Sequence, residues 1–112
     1  MNSTKTYWHK NKHIIAIVGG SGFIGYSLAN HLKKFFTIRI LDKNPPTSTE
    51  LAGIDFRQCD ITQFEETTQA LEGVDLVIHA AIVQIPLINE RKRLGYEVNI
   101  LGTQNVCEAV YR

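Results

Sequence analysis

Before Asp42 the chain contains no acidic residue at all, although six of its basic residues (Lys5, Lys10, Lys12, Lys33, Lys34 and Arg39) lie in that stretch. A net charge of +1 therefore hides a basic amino-terminal part with no carboxylate to repel a bound anion. A dense basic face interleaved with stacking aromatics is lacking, which argues against a nucleic-acid partner. No apolar run approaches the ~20 residues that cross a bilayer. Met1 to Lys12 has no apolar core of the sort a secretion signal needs. The default expectation is a cytoplasmic protein in which residues 1–12 form a tail. Cysteine is scarce, and Cys59 and Cys107 lie too far apart for a zinc or redox spacing. Both are expected to be small buried hydrophobes. His9, His13, His31 and His79 show no ligand spacing either, so no metal site is expected.

Glycine is used in a concentrated way. Ile14 to Val18 is an unbroken apolar run, mostly β-branched, as suits a central parallel strand covered on both faces. It runs into Gly19-Gly20-Ser21-Gly22-Phe23-Ile24-Gly25. Such a turn lets backbone N–H groups approach an anion, and the positive end of a following helix adds to the attraction. At 112 residues the chain is long enough for one domain.

The rest of the chain alternates short strands with helices. Phe23 to Lys34 reads as a helix with Ile24, Leu28, Leu32 and Phe35 as its buried stripe. Thr37 to Asp42 is a second strand, and the prolines after Asn44 impose a loop. A third strand covers Ile54 to Asp60. Thr62-Gln63-Phe64-Glu65 fits a capping box for a helix that Gly73 stops. Val74 to His79 is a fourth strand, Ala80 to Pro86 a loop, and Glu90 to Arg93 a charged turn or helix face. From Leu94 to Tyr111 the pattern is helical, with Val98, Leu101, Val106, Ala109 and Val110 facing inward. This order predicts an α/β fold, a Rossmann-like doubly wound parallel sheet of strand order 3-2-1-4. Its ligand crevice lies where the order reverses, at the carboxyl ends of strands one and four.

Which phosphate the turn holds depends on its neighbours. A triphosphate loop needs Lys-Ser/Thr where Tyr26-Ser27 stands, so that reading fails. The glycines satisfy both G-x-G-x-x-G and G-x-x-G-x-x-G and do not choose between these two dinucleotide turns. Asp42 closes the second strand where a carboxylate accepts the adenosine ribose hydroxyls and repels a 2′-phosphate, which favours NAD over NADP. Lys43 and Arg39 are close enough in sequence to temper that preference.

Four motifs then occur in order: Gly19 to Gly25, Cys59-Asp60-Ile61-Thr62, Val77-Ile78-His79-Ala80-Ala81 and Val98-Asn99-Ile100-Leu101-Gly102-Thr103-Gln104-Asn105-Val106. In these the chain resembles the amino-terminal half of an extended short-chain dehydrogenase/reductase, the NAD-dependent epimerase/dehydratase group. Ala70 to Ala81 resembles in particular its 3β-hydroxysteroid dehydrogenase branch. The resemblance covers residues 13–112 and implies an NAD-binding portion of an enzyme that moves a hydride to or from a secondary alcohol, sterol-like or nucleotide-sugar. It implies that Gly19, Gly22 and Gly25 shape the turn, with the Phe23 and Ile24 amides on the pyrophosphate. Asp42 would hold the ribose and Asp60 the adenine amino group, with Ile61 beside it. Ala80 and Ala81 would line the cofactor, and Asn99 would support the site near the nicotinamide.

The family's acid/base pair, Tyr-x-x-x-Lys, is missing. Tyr7 is followed four later by Asn11, Tyr26 by Asn30 and Tyr96 by Ile100, and Tyr111 is the penultimate residue. No catalytic residue is assigned, and a small-molecule substrate is expected only in a longer form. The alternative is a non-catalytic dinucleotide-binding module with a regulatory or interaction role. In the family's sheet strand four pairs with a fifth strand, so in this chain alone Leu76 to Ile78 would be an uncovered apolar edge through which chains self-associate, a sign of a longer protein.

Overall fold

The computed structural model describes residues 13–83 and 87–111. The expected tail over residues 1–12 and the end of the loop at 84–86 lie outside the described residues. Strands β1 (Ile14–Val18), β2 (Thr37–Asp42), β3 (Asp55–Gln58) and β4 (Leu76–His79) form one parallel sheet in the order β3-β2-β1-β4. This is the expected Rossmann-like arrangement. The third and fourth strands are shorter than expected: pairing of the third runs only from Asp55 to Gln58, and that of the fourth begins at Leu76.

Side-chain alternation along β1 and β2 divides the core between the two faces of the sheet. Ile15, Ile17, Ile38 and Ile40 pack with Ala29 of helix α1 (Phe23–Leu32) and with Leu51, which lies on a 3₁₀ turn over Thr49–Leu51. Ala16, Val18 and Leu41 face the other way, onto Ala70 of helix α2 (Phe64–Ala70) and Val106 of helix α5 (Thr103–Tyr111).

The stripe expected on α1 is half met: Leu28 and Leu32 pack against the core, but its centre lies elsewhere. Gly25 and Ala29 are the residues buried, Leu28 and Leu32 flank them, and Ile24 and Phe35 are exposed. The cause is proximity: a Cβ at Gly25 would stand 2.6 Å from the Gly20 Cα. The helix thus approaches the turn so closely that only small residues fit beneath it.

The capping box also fails. Asp60 Oδ1 accepts both the Thr62 amide, at 3.0 Å, and its hydroxyl, at 2.7 Å. With Thr62 held in that Asx turn, α2 starts at Phe64 after an N-cap, Gln63, that makes no side-chain capping bond. Glu66, rather than Glu65, reaches back to the Asp60 amide.

The charged cluster at 90–93 falls across two short helices, α3 (Leu87–Glu90) and α4 (Lys92–Tyr96). Between α4 and α5 the chain forms a π-helical segment, Glu97–Gly102. Its wider turn shifts the phase of everything after it. Gly102, Asn105 and Val106 therefore face inward with Ala109 partly buried, while Leu101 and Val110 are exposed. Cys59 is buried as expected, but Cys107 is exposed, on the outer side that the same shift defines.

Candidate functional site

The turn after β1 is held by backbone chemistry. Gly19 donates to the Leu41 carbonyl at 2.7 Å and has φ +83, and a Cβ there would stand 2.7 Å from the Ala81 Cα and N. The Gly22 amide donates back to the Gly19 carbonyl at 3.1 Å. Gly22 differs from its neighbours. Its φ of −81 suits any residue, and among the described residues beyond its chain neighbours the one atom near a Cβ there is the Gly19 carbonyl oxygen, at 3.4 Å. Packing against the described residues does not require glycine at this position.

Gly22 instead borders a cavity of about 260 Å³ at the carboxyl ends of the strands. Of the residues expected to hold the cofactor, Gly19, Gly22, Asp42, Asp60, Ile61, Ala80 and Ala81 all line it. Phe23, Ile24, Gly25 and Asn99 do not. The side chains of Phe23 and Ile24 point out, 76% and 60% exposed, so the helix offers only backbone there. Its first amides have no intrahelical acceptor, and the N-cap Gly22 has no side chain to satisfy them. Gly25 is structural. Asn99 borders a neighbouring cavity, also about 260 Å³, which shares Ala80, Ala81 and Ile82 with the first.

Asp42 is fixed at the rim. Its Oδ2 accepts the Ser21 amide at 3.1 Å and its Oδ1 the Asn44 amide at 3.2 Å, which ties the glycine turn to the loop after β2. A carboxylate has about four acceptor positions, so both oxygens keep capacity for a ligand hydroxyl. Burial would raise the Asp60 pKa, but the Thr62 hydroxyl and amide, helped by the Lys43 charge, hold it below the usual range. Asp60 is thus an ionised acceptor. Burial pushes the Cys59 thiol up and keeps it neutral.

Arg39 does not line the cavity. Its guanidinium is buried on the α2 side, bonded to Asp55 Oδ2 at 3.1 Å and to the Ala70 and Glu72 carbonyls at 2.9 and 2.7 Å. Lys43 remains, lining the cavity.

Asn99 acts on the cavity through Val83, which lines it. Its Oδ1 accepts the Val83 amide at 2.7 Å and its Nδ2 donates to the Val83 carbonyl at 3.1 Å. This paired clamp holds the segment leaving β4, with Ala80 and Ala81 on it. Sequence reasoning missed Ser21, Val83 and Thr103, because their contacts are made by backbone groups or across the sheet–helix boundary. Asx and serine chemistry in a glycine turn was the one available signal. Among the described residues no cluster of potential metal ligands occurs, and no helix is long and apolar enough to cross a membrane.

Comparison with known proteins agrees with this architecture. The chain is 29% identical over 102 residues to the 3 beta-hydroxysteroid dehydrogenase/Delta 5-->4-isomerase of Monkeypox virus, covering 86% of this chain and 30% of that protein. It therefore spans about a third of the length of such relatives. Among solved structures, the UDP-glucose 4-epimerase of Thermus thermophilus, in complex with NAD, superposes with a TM-score of 0.74 at 27% identity, over 86% of this chain and 33% of that one. L-threonine dehydrogenase from Clostridium difficile gives 0.80 at 20% identity, over 90% and 33%, a likeness of fold alone. A model of the 3-beta hydroxysteroid dehydrogenase/isomerase family matches residues 16–112, and the chain belongs to that family.

Proposed function

We propose that these residues are the NAD-binding portion of an oxidoreductase that transfers a hydride to or from a secondary alcohol, sterol-like or nucleotide-sugar. Gly22 carries the reading: it is a glycine that packing against the described residues does not need, at the mouth of a cavity edged by two carboxylates. A Cβ there would occupy space that a closely approaching ligand needs. The first amides of α1 then face the pyrophosphate, Asp42 accepts the ribose hydroxyls, and Asp60 accepts the adenine amino group. Ile61, Ala80 and Ala81 provide the apolar walls, and Asn99 acts on the cavity through Val83. With Arg39 turned away, the carboxylate at 42 favours NAD over NADP. When bound, the nicotinamide supplies the hydride acceptor or donor.

No tyrosine in these 112 residues is followed four later by lysine. The proposed chemistry therefore needs an acid/base pair from outside them. That same observation favours the second reading, a dinucleotide-binding module without catalysis. Sequencing the message beyond Arg112 separates the two: a downstream Tyr-x-x-x-Lys supports the enzyme, and a stop codon there supports the module. Calorimetric titration with NAD and NADP tests the site itself. NAD is expected to bind more tightly, and tighter NADP binding overturns the role given to Asp42.

A further inference from the structure

His79 closes β4 and Thr103 opens α5, and His79 Nε2 lies 2.9 Å from Thr103 Oγ1. The Thr103 hydroxyl donates its proton to the Asn99 carbonyl at 2.7 Å, so toward His79 it can only accept. The network thus assigns the imidazole proton to Nε2, leaving Nδ1 a buried lone pair with no partner among the described residues. In a regular helix the Asn99 carbonyl would accept the Thr103 amide. Here that amide donates to the Ile100 carbonyl, and the hydroxyl takes its place on Asn99. The exchange falls at the carboxyl end of the π-helical segment, whose residue Asn99 clamps Val83.

We propose that His79 and Thr103 are positioning residues, which hold the π turn through the Asn99 carbonyl so that the Asn99 amide meets Val83 and fixes the cavity lining there. The proposal rests on the dinucleotide reading for its functional meaning, though its structural part stands alone. The chain of contacts runs His79 to Thr103 to Asn99 to Val83, and each link is a single hydrogen bond or pair of bonds. Thr103→Val keeps the side-chain volume and removes the middle link, while Thr103→Ser keeps the link. His79→Leu removes the first donor, and His79→Gln offers an amide N–H in place of Nε2.

The test is amide hydrogen exchange at Val83, referenced to Ile17 of the central strand, together with NAD titration of the same 112-residue variants. In Thr103→Val and His79→Leu, Val83 exchange and the NAD dissociation constant should both rise about three- to tenfold, the size of one lost hydrogen bond, while Thr103→Ser and His79→Gln stay within about twofold of the parent. A rise at Val83 that only follows Ile17 reports general destabilisation and overturns the proposal, as does an unmoved Val83. Should the parent chain bind no NAD while Val83 still responds selectively, the cofactor reading fails and the positioning network stands. If NAD binds but Val83 is unmoved, the converse holds.

Discussion

At the scale of single residues, the glycines of the turn do different work and should answer differently to a methyl group. Gly22→Ala is expected to cost no more than about 1 kcal/mol of stability, the worth of a glycine over alanine at a helix N-cap, and to weaken NAD binding at least about tenfold. Gly25→Ala and Gly19→Ala should instead destabilise by about 2 kcal/mol or more, through overpacking and, at Gly19, a left-handed backbone. Thermal denaturation read beside calorimetric titration checks both. A Gly22→Ala protein that melts early with normal affinity contradicts the assignment. Asp42→Ala should lower NAD affinity and shift preference toward NADP, each by about tenfold, the worth of one or two hydrogen bonds to a charged acceptor. Asp42→Asn keeps an acceptor for the Ser21 amide and separates the loss of charge from the loss of the turn.

At the scale of elements, two side chains join helices to the sheet. Arg39 of β2 satisfies two carbonyls at the end of α2 and pairs with Asp55 of β3. Asp55 is partly exposed, so the ion pair counts for less than its geometry suggests and the bonds to buried carbonyls count for more. Arg39→Met should cost about 2 kcal/mol in urea unfolding. An unchanged midpoint would show that water replaces the guanidinium without loss. His79 gives the β4–α5 junction a pH dependence. Burial lowers its pKa in the folded protein, while the unfolded chain titrates near the ordinary value of about 6.5. The unfolded state therefore takes up a proton first as pH falls. Stability should decline as pH drops through about 6.5 and level off below the folded pKa. His79→Gln, followed by chemical denaturation from pH 7.5 to 5.5, should flatten that slope. An identical slope in both proteins would place the titration elsewhere.

At the scale of the whole molecule, the two edges of the sheet are unlike. β3 presents Asp55, Arg57 and Gln58, charged and polar groups that discourage further pairing. β4 presents Leu76, Val77, Ile78 and His79, with Leu76 43% exposed and no charge along the strand. We expect the isolated 112-residue chain to associate through that edge. Light scattering behind a sizing column should show dimers or larger species, and Leu76→Lys should shift them toward monomer. A monodisperse parent at tens of micromolar would remove the edge as an association site.

Sequence alone determined the sheet. The unbroken apolar run Ile14–Val18, the strand ending on Asp42 and the glycine turn between helix and strand were local signals, and local signals survive folding unchanged. The right-handed crossover rule then left one strand order, the one observed. The same residues marked the rim of the cavity, since carboxyl ends of parallel strands share one edge. Tertiary structure decided the helix faces. Period alone put Ile24 and Leu101 inward. Close approach at Gly25 and the π turn at Asn99 rotated them out, and neither effect is encoded in hydrophobic spacing. It also decided what Arg39, His79 and Thr103 do, because their partners lie tens of residues away and become neighbours only when the helices close over the sheet. The glycine turn was legible because its chemistry is carried by consecutive backbone groups. Its supports were not, because they are side chains that meet only after folding.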